Sequence, residues 1–349
     1  MTKIKVGILG ATGAVGQRII QLLENHPWFE VVSLCASEKS AGKLYKDATT
    51  WRVSSKIPDY AANIKVELCE PKLDAKTVFS GLDSSVAGEI EDRFADNGYV
   101  VISNSKNHRM DLDVPLVIPE VNPDHLSLIE AQRKRRASKG FIVTNPNCTT
   151  VGLTLVLKPL HDAFGVKSVA VTTMQALSGA GYPGVASLDA VDNVVPFIQD
   201  EEEKVETEPL KLLGKISNNN IIPVTIKISA SCNRVSVRDG HTECLELSFI
   251  KKPTTKEVVK ILEEFNGVPR ELNLPSAPKK PIIYTENSDR PQPVLDRDIH
   301  GGMSIIVGRI RKSNVSDLKL TLLVHNTIRG AAGAAILNGE LLKAKGFLD

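Results

Sequence analysis

Over residues 1–150, short β-branched runs at 4–9, 30–35, 65–68, 77–79, 100–102 and 142–143 alternate with stretches whose apolar residues fall at helical spacing. Strand and helix taking turns in this way predicts an α/β unit built on a parallel, doubly wound, Rossmann-like sheet. The turn-rich pieces 37–43 and 104–113 then lie at the carboxyl ends of strands, the edge where such sheets take ligands.

After Asn147 the texture changes. Strand candidates lengthen, at 168–175, 221–228 and 243–249, and helices such as 255–265 separate them, which predicts a second, α+β unit on a larger mixed sheet. Residues 327–347, rich in alanine and leucine, read as a helix that packs back onto the first unit. The proline-bearing stretch 273–297 is expected to be a long surface connection or dimer arm.

The length of 349 residues suits two such units. Lysine and arginine number 43 against 41 acidic residues, and the +2 balance is spread along the chain, so no tail for nucleic acid or membrane is expected; a small soluble partner is. The polar start leads directly into the first strand run, with neither a signal-peptide core nor a membrane span, and the cytosol is the expected compartment. The five cysteines, at 35, 69, 148, 232 and 244, contain no CxxC pair, which argues against a disulfide framework and against a cysteine-rich zinc site. Cys232, His241 and Cys244 are the one set with zinc-ligand chemistry, but they lack short ligand pairs, and no metal is expected.

Two motifs add chemistry to this frame. After the first strand run comes Gly7-Ile-Leu-Gly10-Ala-Thr12-Gly13-Ala14-Val15-Gly16, followed by helical periodicity over 17–25. Strand, glycine turn and helix occur in the order that brings backbone N–H groups to a pyrophosphate, although the spacing is only a variant of GxGxxG. At the end of the second strand an NAD site places an acid on the ribose hydroxyls. The sequence there is Ser37-Glu38-Lys39-Ser40-Ala-Gly-Lys43, whose hydroxyls and lysines suit a 2′-phosphate, so NADP is expected; Glu38 is the residue that fits NAD instead.

The second motif is Thr144-Asn-Pro-Asn147-Cys148-Thr-Thr, which ends a strand run and opens an apolar helix over 150–164, with Asn147 in a capping position. A thiol at a helix start sits at the positive end of the dipole, which favours the nucleophilic thiolate. Most cysteines are inert core residues; the polar turn behind a dinucleotide fold sets Cys148 apart. Of the seven histidines, His241 lies in the polar turn 234–243 between two strand-like runs and is the candidate proton-transfer partner, with His108, His300 and His325 as competitors.

The glycine turn, Ser103-Asn-Ser-Lys-Asn-His-Arg109, Asn145-Pro-Asn-Cys148-Thr-Thr, Gln175-Ala-Leu-Ser-Gly-Ala-Gly181 and Cys232-Asn-Arg234 through His241 together resemble aspartate-semialdehyde dehydrogenase, in that family's order and closest to its archaeal and fungal branch. The resemblance implies reductive dephosphorylation of L-aspartyl 4-phosphate to L-aspartate 4-semialdehyde with NADPH, a step toward lysine, methionine, threonine and isoleucine. It implies a binding unit over 1–147, completed by 327–349, and a catalytic and dimerisation unit over 148–326, in a homodimer or homotetramer.

Carried over by position, Cys148 is the nucleophile and His241 the acid/base, with Asn147 at the oxyanion and Gln175 orienting the acyl-enzyme. Arg234 grips the α-carboxylate, Arg109 binds the acyl phosphate, and a Glu-x-x-Lys pair, best fitted by Glu201 and Lys204, meets the amino group and phosphate; the acidic run 200–206 offers other registers. For the cofactor the resemblance implicates Gly10, Thr12, Gly13, Ala14 and Val15 at the pyrophosphate, Ser37, Lys39 and Ser40 at the ribose phosphate, and Ser178, Gly179 and Asn326 at the nicotinamide. Gly81-Leu-Asp-Ser-Ser departs from the pattern, where related chains often carry proline after the leucine, and this leaves the cofactor-side loop at Ser80 open. Malonyl-CoA reductase resembles the same branch, and N-acetyl-glutamyl-phosphate reductase is a more distant rival. A non-catalytic NADP sensor requires Cys148 and His241 to be structural.

Overall fold

Six strands form the first sheet: β1 (Ile4–Leu9), β2 (Phe29–Ala36), β3 (Glu67–Leu68), β4 (Thr77–Ser80), β5 (Val100–Ser103) and β6 (Phe141–Thr144). They run parallel in the order β3-β2-β1-β4-β5-β6. This computed structural model describes residues 2–348; Met1 and Asp349, the end residues of the expected first unit, lie outside them. Alternate residues of each strand enter two different cores. Val6, Ile8, Phe79, Ile102 and Val143 pack on the side of α1 (Ala14–Leu22), while Leu9, Val78, Val101 and Ile142 pack with Phe94 of α2 (Ser84–Asp96). With both faces buried, the strands read as continuous apolar runs rather than as alternating ones. The order reverses between β1 and β4, so the crevice beyond their carboxyl ends is the switch point where such sheets bind ligands. A third helix, α3 (Leu128–Arg136), precedes β6.

From β6 the chain enters α4 (Cys148–Phe164), whose Val151, Leu153, Leu155, Val156, Leu157 and Leu160 are buried in the core of the second sheet. That sheet has the order β13-β14-β15-β12-β7-β11-β8. Its strands are β7 (Val166–Gln175), β8 (Val194–Val195), β11 (Lys227–Val235), β12 (His241–Phe249), β13 (Ile282–Tyr284), β14 (Ile305–Lys312) and β15 (Leu318–Val324); β9 (Lys215–Ser217) and β10 (Asn220–Ile222) make a separate hairpin. β11 is parallel to β7 and β12 is antiparallel to it, giving the mixed sheet expected. One face is covered by α4, α5 (Glu201–Leu212) and α6 (Thr255–Glu264). The other leaves Ala170, Thr172, Ser229, Ser231 and Cys244 exposed.

The chain then returns. A π-helical turn, Ile328–Ala332, leads into α7 (Gly333–Ala344), whose Ile336, Leu337, Leu341 and Leu342 pack against the first sheet. Arg329 in that turn is buried with Glu120, Nη2 to Oε2 at 2.6 Å. Among the described residues no helix is long and apolar enough to cross a membrane.

Three expectations need correction. The strand expected at 221–228 is the end of β10 and the start of β11, interrupted at Pro223, whose ring removes a ladder N–H. The stretch 273–297 is not only a connection: β13 within it adds an edge strand parallel to β14. The helices begin earlier than their periodicity indicated, at Ala14 and at Cys148, because the first turn of each holds small or polar residues.

Glu120→Gln leaves the Arg329 charge buried without its counter-ion, and breaking a pair of this kind costs about 3–5 kcal/mol. Equilibrium urea unfolding should show a loss of about that size; a loss under about 1 kcal/mol would mean the pair is not what ties the turn down.

Candidate active site

The first turn of α4 collects the site. Asn147 caps it, its Oδ1 accepting from the N–H groups of Thr149 at 2.9 Å and Thr150 at 3.2 Å. Its amide nitrogen donates to Glu201 Oε1 at 2.9 Å, and its backbone N–H donates to Glu208 Oε2 at 2.7 Å. The Asn147 side chain is thus held by the cap and by α5, while the second hydrogen of its amide nitrogen has no recorded partner and the residue borders the cavity over Cys148. Gln175 at the end of β7 is similarly engaged, donating to Glu201 Oε1 at 3.0 Å and to Thr173 Oγ1 at 3.3 Å.

His241 is not in a polar turn. It is the first residue of β12, completely buried, and its Nε2 lies 3.2 Å from Cys148 Sγ. Its Nδ1 accepts from the N–H of Ala176 at 3.0 Å. The carbonyl of the same residue accepts from Arg234 Nη1 at 2.7 Å, so the Ala176 residue fixes both the imidazole and the guanidinium. Burial, then the Arg234 and His325 charges, lowers the His241 pKa to about 3 and keeps the ring neutral. Burial, then the charge on Glu201, pushes the Cys148 thiol up to about 12 against the opposing pull of Arg109 and Arg234. The helix start and the two guanidiniums thus act on the thiol against burial and the Glu201 charge.

A cavity of about 660 Å³ opens over Cys148. Asn147, Gln175, Arg109, Arg234, Glu201 and Lys204 border it on one side, and Ala14, Val15, Ser178, Gly179 and Asn326 on the other. Asn326 bridges the second group, donating to Ser178 Oγ at 2.8 Å and accepting from the Gly240 N–H at 2.9 Å. Of the competing histidines, His108 pairs with Asp111, His300 with Ser304, and His325 lies 3.7 Å from Asp298; none meets the thiol.

The residues expected at the cofactor fall along the switch point. Gly10 has φ +74°, and a Cβ there would stand 2.7 Å from the carbonyl oxygen of Gly81, so only glycine permits this turn. Gly13 caps α1 without a side-chain hydrogen bond, leaving the first N–H groups of that helix open beside Ala14 and Val15. This cradle fits a pyrophosphate. Thr12 is half-buried in the same turn, and Ser37, Lys39 and Ser40 form the turn at the end of β2, where Ser37 and Lys39 face solvent. Ser80 departs from expectation: it is wholly buried behind the cavity wall, and its carbonyl receives the Asn104 N–H and side-chain amide.

Helix α5 carries the spacing Glu-x-x-Lys twice, seven residues apart and so on one face. Glu201 and Lys204, 3.5 Å apart, border the cavity. Glu208 and Lys211 lie behind it: Glu208 Oε1 accepts from Arg109 Nη1 at 2.9 Å, and Lys211 Nζ donates to the carbonyls of Arg109, Asp111 and Val114. Sequence reasoning missed this second pair, although the repeated spacing was its signal. Lys106, also missed, pairs with Asp200 at 2.6 Å and joins the loop after β5 to the start of α5.

Residues 5–129 match the family model of the semialdehyde dehydrogenase NAD binding domain, and residues 157–329 match that of the semialdehyde dehydrogenase dimerisation domain. An aspartate-semialdehyde dehydrogenase of Archaeoglobus fulgidus is 55% identical over 97% of this chain and 98% of that protein. A malonyl CoA reductase (NADP) of Metallosphaera sedula is 42% identical over 99% and 98%. The crystal structure of the Candida albicans aspartate semialdehyde dehydrogenase with NADP superposes with a TM-score of 0.93 at 45% identity, covering 99% of this chain and 100% of that one. The chain therefore belongs to the semialdehyde dehydrogenase family.

Proposed function

We propose that this protein is an NADP-dependent, phosphorylating aspartate-semialdehyde dehydrogenase, converting L-aspartyl 4-phosphate to L-aspartate 4-semialdehyde through a thioester on Cys148. The observation that carries the reading is one cavity bordered by Cys148, which the buried His241 backs at 3.2 Å, by the guanidinium residues Arg109 and Arg234, and by Ala14 and Val15 of the glycine turn. In this reading Arg234 takes the substrate α-carboxylate as a planar fork. Glu201, whose Oε2 has only Lys204 beside it, takes the amino group. Arg109 gives one N–H of Nη1 to Glu208 and one of Nη2 to the Asn104 carbonyl, and with the other N–H of each it receives the phosphate together with Lys204 at the cavity.

In this reading the N–H of Cys148, at the start of α4, and the remaining amide hydrogen of Asn147 face the oxyanion formed when Sγ attacks the acyl carbon. His241 Nε2 stays beside the sulfur, and Ser178, Gly179 and Asn326 flank the place of the nicotinamide. NADPH supplies the hydride when bound. Gly10, Thr12, Gly13, Ala14 and Val15 hold its pyrophosphate, and Ser37, Lys39 and Ser40 its ribose phosphate.

Glu201 separates this reading from malonyl-CoA reduction. An anionic side chain beside Arg234 complements an α-amino acid, and a malonyl group has no ammonium to meet it. The Cys148–His241 contact inside an open cavity likewise favours an enzyme over a sensor. A second copy of this chain belongs on the open face of the second sheet, consistent with the dimerisation-domain match and giving a homodimer or homotetramer. Five free cysteines suit work in the cytosol.

Phosphate-dependent reduction of NADP by aspartate semialdehyde, with malonyl-CoA plus NADPH run alongside, tests the reading. Turnover is expected with the semialdehyde; its absence in folded, NADP-binding protein, or a preference for malonyl-CoA, rejects it. Cys148→Ser should abolish turnover while leaving NADP affinity within about threefold, since the thiol makes no contact needed for the cradle. Arg234→Lys should lower kcat/KM for the semialdehyde by about 10²-fold, the cost of losing a charge-assisted fork, and unchanged efficiency would remove Arg234 from the substrate.

A further inference from the structure

The π-helical turn at Ile328–Ala332 has a cavity on each side. Thr327, Gly330 and Ala331 border the catalytic cavity, where Gly330 meets Cys148. Ile328, the first residue of the turn, and Gly333, the residue just after it, instead border a second cavity of about 410 Å³. Leu22 of α1, Met303 and Ile336 of α7 line the same cavity, whose rim is formed by the stretch 275–279 and by His300 and Gly301. Lys279, His300 and Gly301 are exposed, so the mouth is open to solvent.

Both rims are tied down. Glu340 of α7 accepts from the Ser276 N–H at 3.0 Å on each oxygen and from Ser276 Oγ at 2.7 Å, and its Oε1 lies 2.8 Å from His26 Nε2. Opposite, His300 Nδ1 lies 2.9 Å from Ser304 Oγ, which donates to the Lys280 carbonyl at 2.6 Å. The turn between the cavities fits closely on both sides: a Cβ at Gly333 would stand 2.5 Å from Met303 Sδ, and one at Gly330 2.6 Å from Cys148 Cβ. Its backbone bonds reach five residues back, from the Gly330 N–H to the His325 carbonyl at 3.0 Å and from the Ala332 N–H to the Thr327 carbonyl at 3.2 Å. Contact at Ile328 and Gly333 is therefore carried by the same short segment that sets Gly330 against the cysteine.

The lining selects a class of ligand. Leu22, Ala277, Met303, Ile328 and Ile336 give an apolar floor, Lys279 is the one lysine or arginine that borders the cavity, and no carboxylate borders it. The volume suits a small molecule, and the lysine stem lets its ammonium reach over the mouth. We propose that this second cavity binds a small carboxylate with an aliphatic or aromatic body, the anion at Lys279 and the body against Ile328 and Ile336. Occupancy braces the π-helical turn from behind, holds Gly330 against Cys148 and slows access to the thiol. A ligand acts in this way by favouring the braced arrangement of the turn, whichever acyl group Cys148 receives.

The probe is 3-phenylpropionate, with 3-phenylpropanamide as its uncharged counterpart, titrated calorimetrically into the full-length protein. The acid should bind about tenfold or more tightly than the amide, and Lys279→Glu, a change at an exposed position, should weaken the acid by about tenfold or more. No binding, or equal binding of the amide, overturns the proposal. Acid binding that survives Lys279→Glu belongs to Arg109 and Arg234 in the catalytic cavity and overturns it as well. The second readout is alkylation of Cys148 by iodoacetamide, followed on the peptide that contains it so that the exposed Cys244 does not contribute. Saturating acid should slow this reaction about threefold or more, and the same concentration should leave the rate in Lys279→Glu unchanged. An unchanged or faster rate in the unsubstituted protein with acid bound overturns the link between the two cavities. Because alkylation needs neither aspartyl phosphate nor NADPH, failure here is distinct from failure of the proposed reaction.

Discussion

The way the first turn of α4 is capped governs this site. Asn147 offers a backbone N–H, an amide oxygen and an amide nitrogen, and all three are used: on Glu208, on the Thr149 and Thr150 N–H groups, and on Glu201. Cys148 follows directly, so its position is set by α5 as much as by its own helix. Glu208 carries the constraint further by holding Arg109, and Lys211 anchors the carbonyls of the loop that bears that arginine. The residue before Cys148 and the Arg109 guanidinium thus share one buried carboxylate.

Electrostatics and packing oppose each other at the sulfur. A helix start and two guanidiniums favour a thiolate, while burial and the Glu201 charge raise the thiol's pKa. The same burial keeps His241 neutral. The resting pair is therefore uncharged, which limits the electrostatic cost of placing it between two cores.

Much of this was legible in the sequence, for physical reasons that differ from element to element. The first sheet read clearly because its strands are buried on both faces and stand out as unbroken apolar runs. The glycine turn read clearly because the approach of Gly81 to Gly10 admits no side chain. The Cys148–His241 contact spans 93 residues and depends on how β12 lies beside α4, so spacing offered a candidate but no partner. Register on α5 was unreadable in principle: two Glu-x-x-Lys pairs seven residues apart share one helix face, and only the tertiary packing separates the pair at the cavity from the pair behind it. Asn147 shows the remaining limit, since an amide suits a cap and an oxyanion equally until its neighbours are known.

The return of the chain through the π-helical turn bears on the order in which the protein is made. Strands β1–β6 are synthesised first, yet one of their faces is covered by α7, and the turn that presses on Cys148 lies at Ile328–Ala332. During translation the nascent cofactor unit therefore carries an uncovered apolar flank while nearly two hundred further residues emerge, about 10–40 s at common elongation rates. Cys148 gains the wall that Gly330 provides only once this turn has emerged. A truncated chain would accordingly be both sticky and unable to close its own reaction chamber.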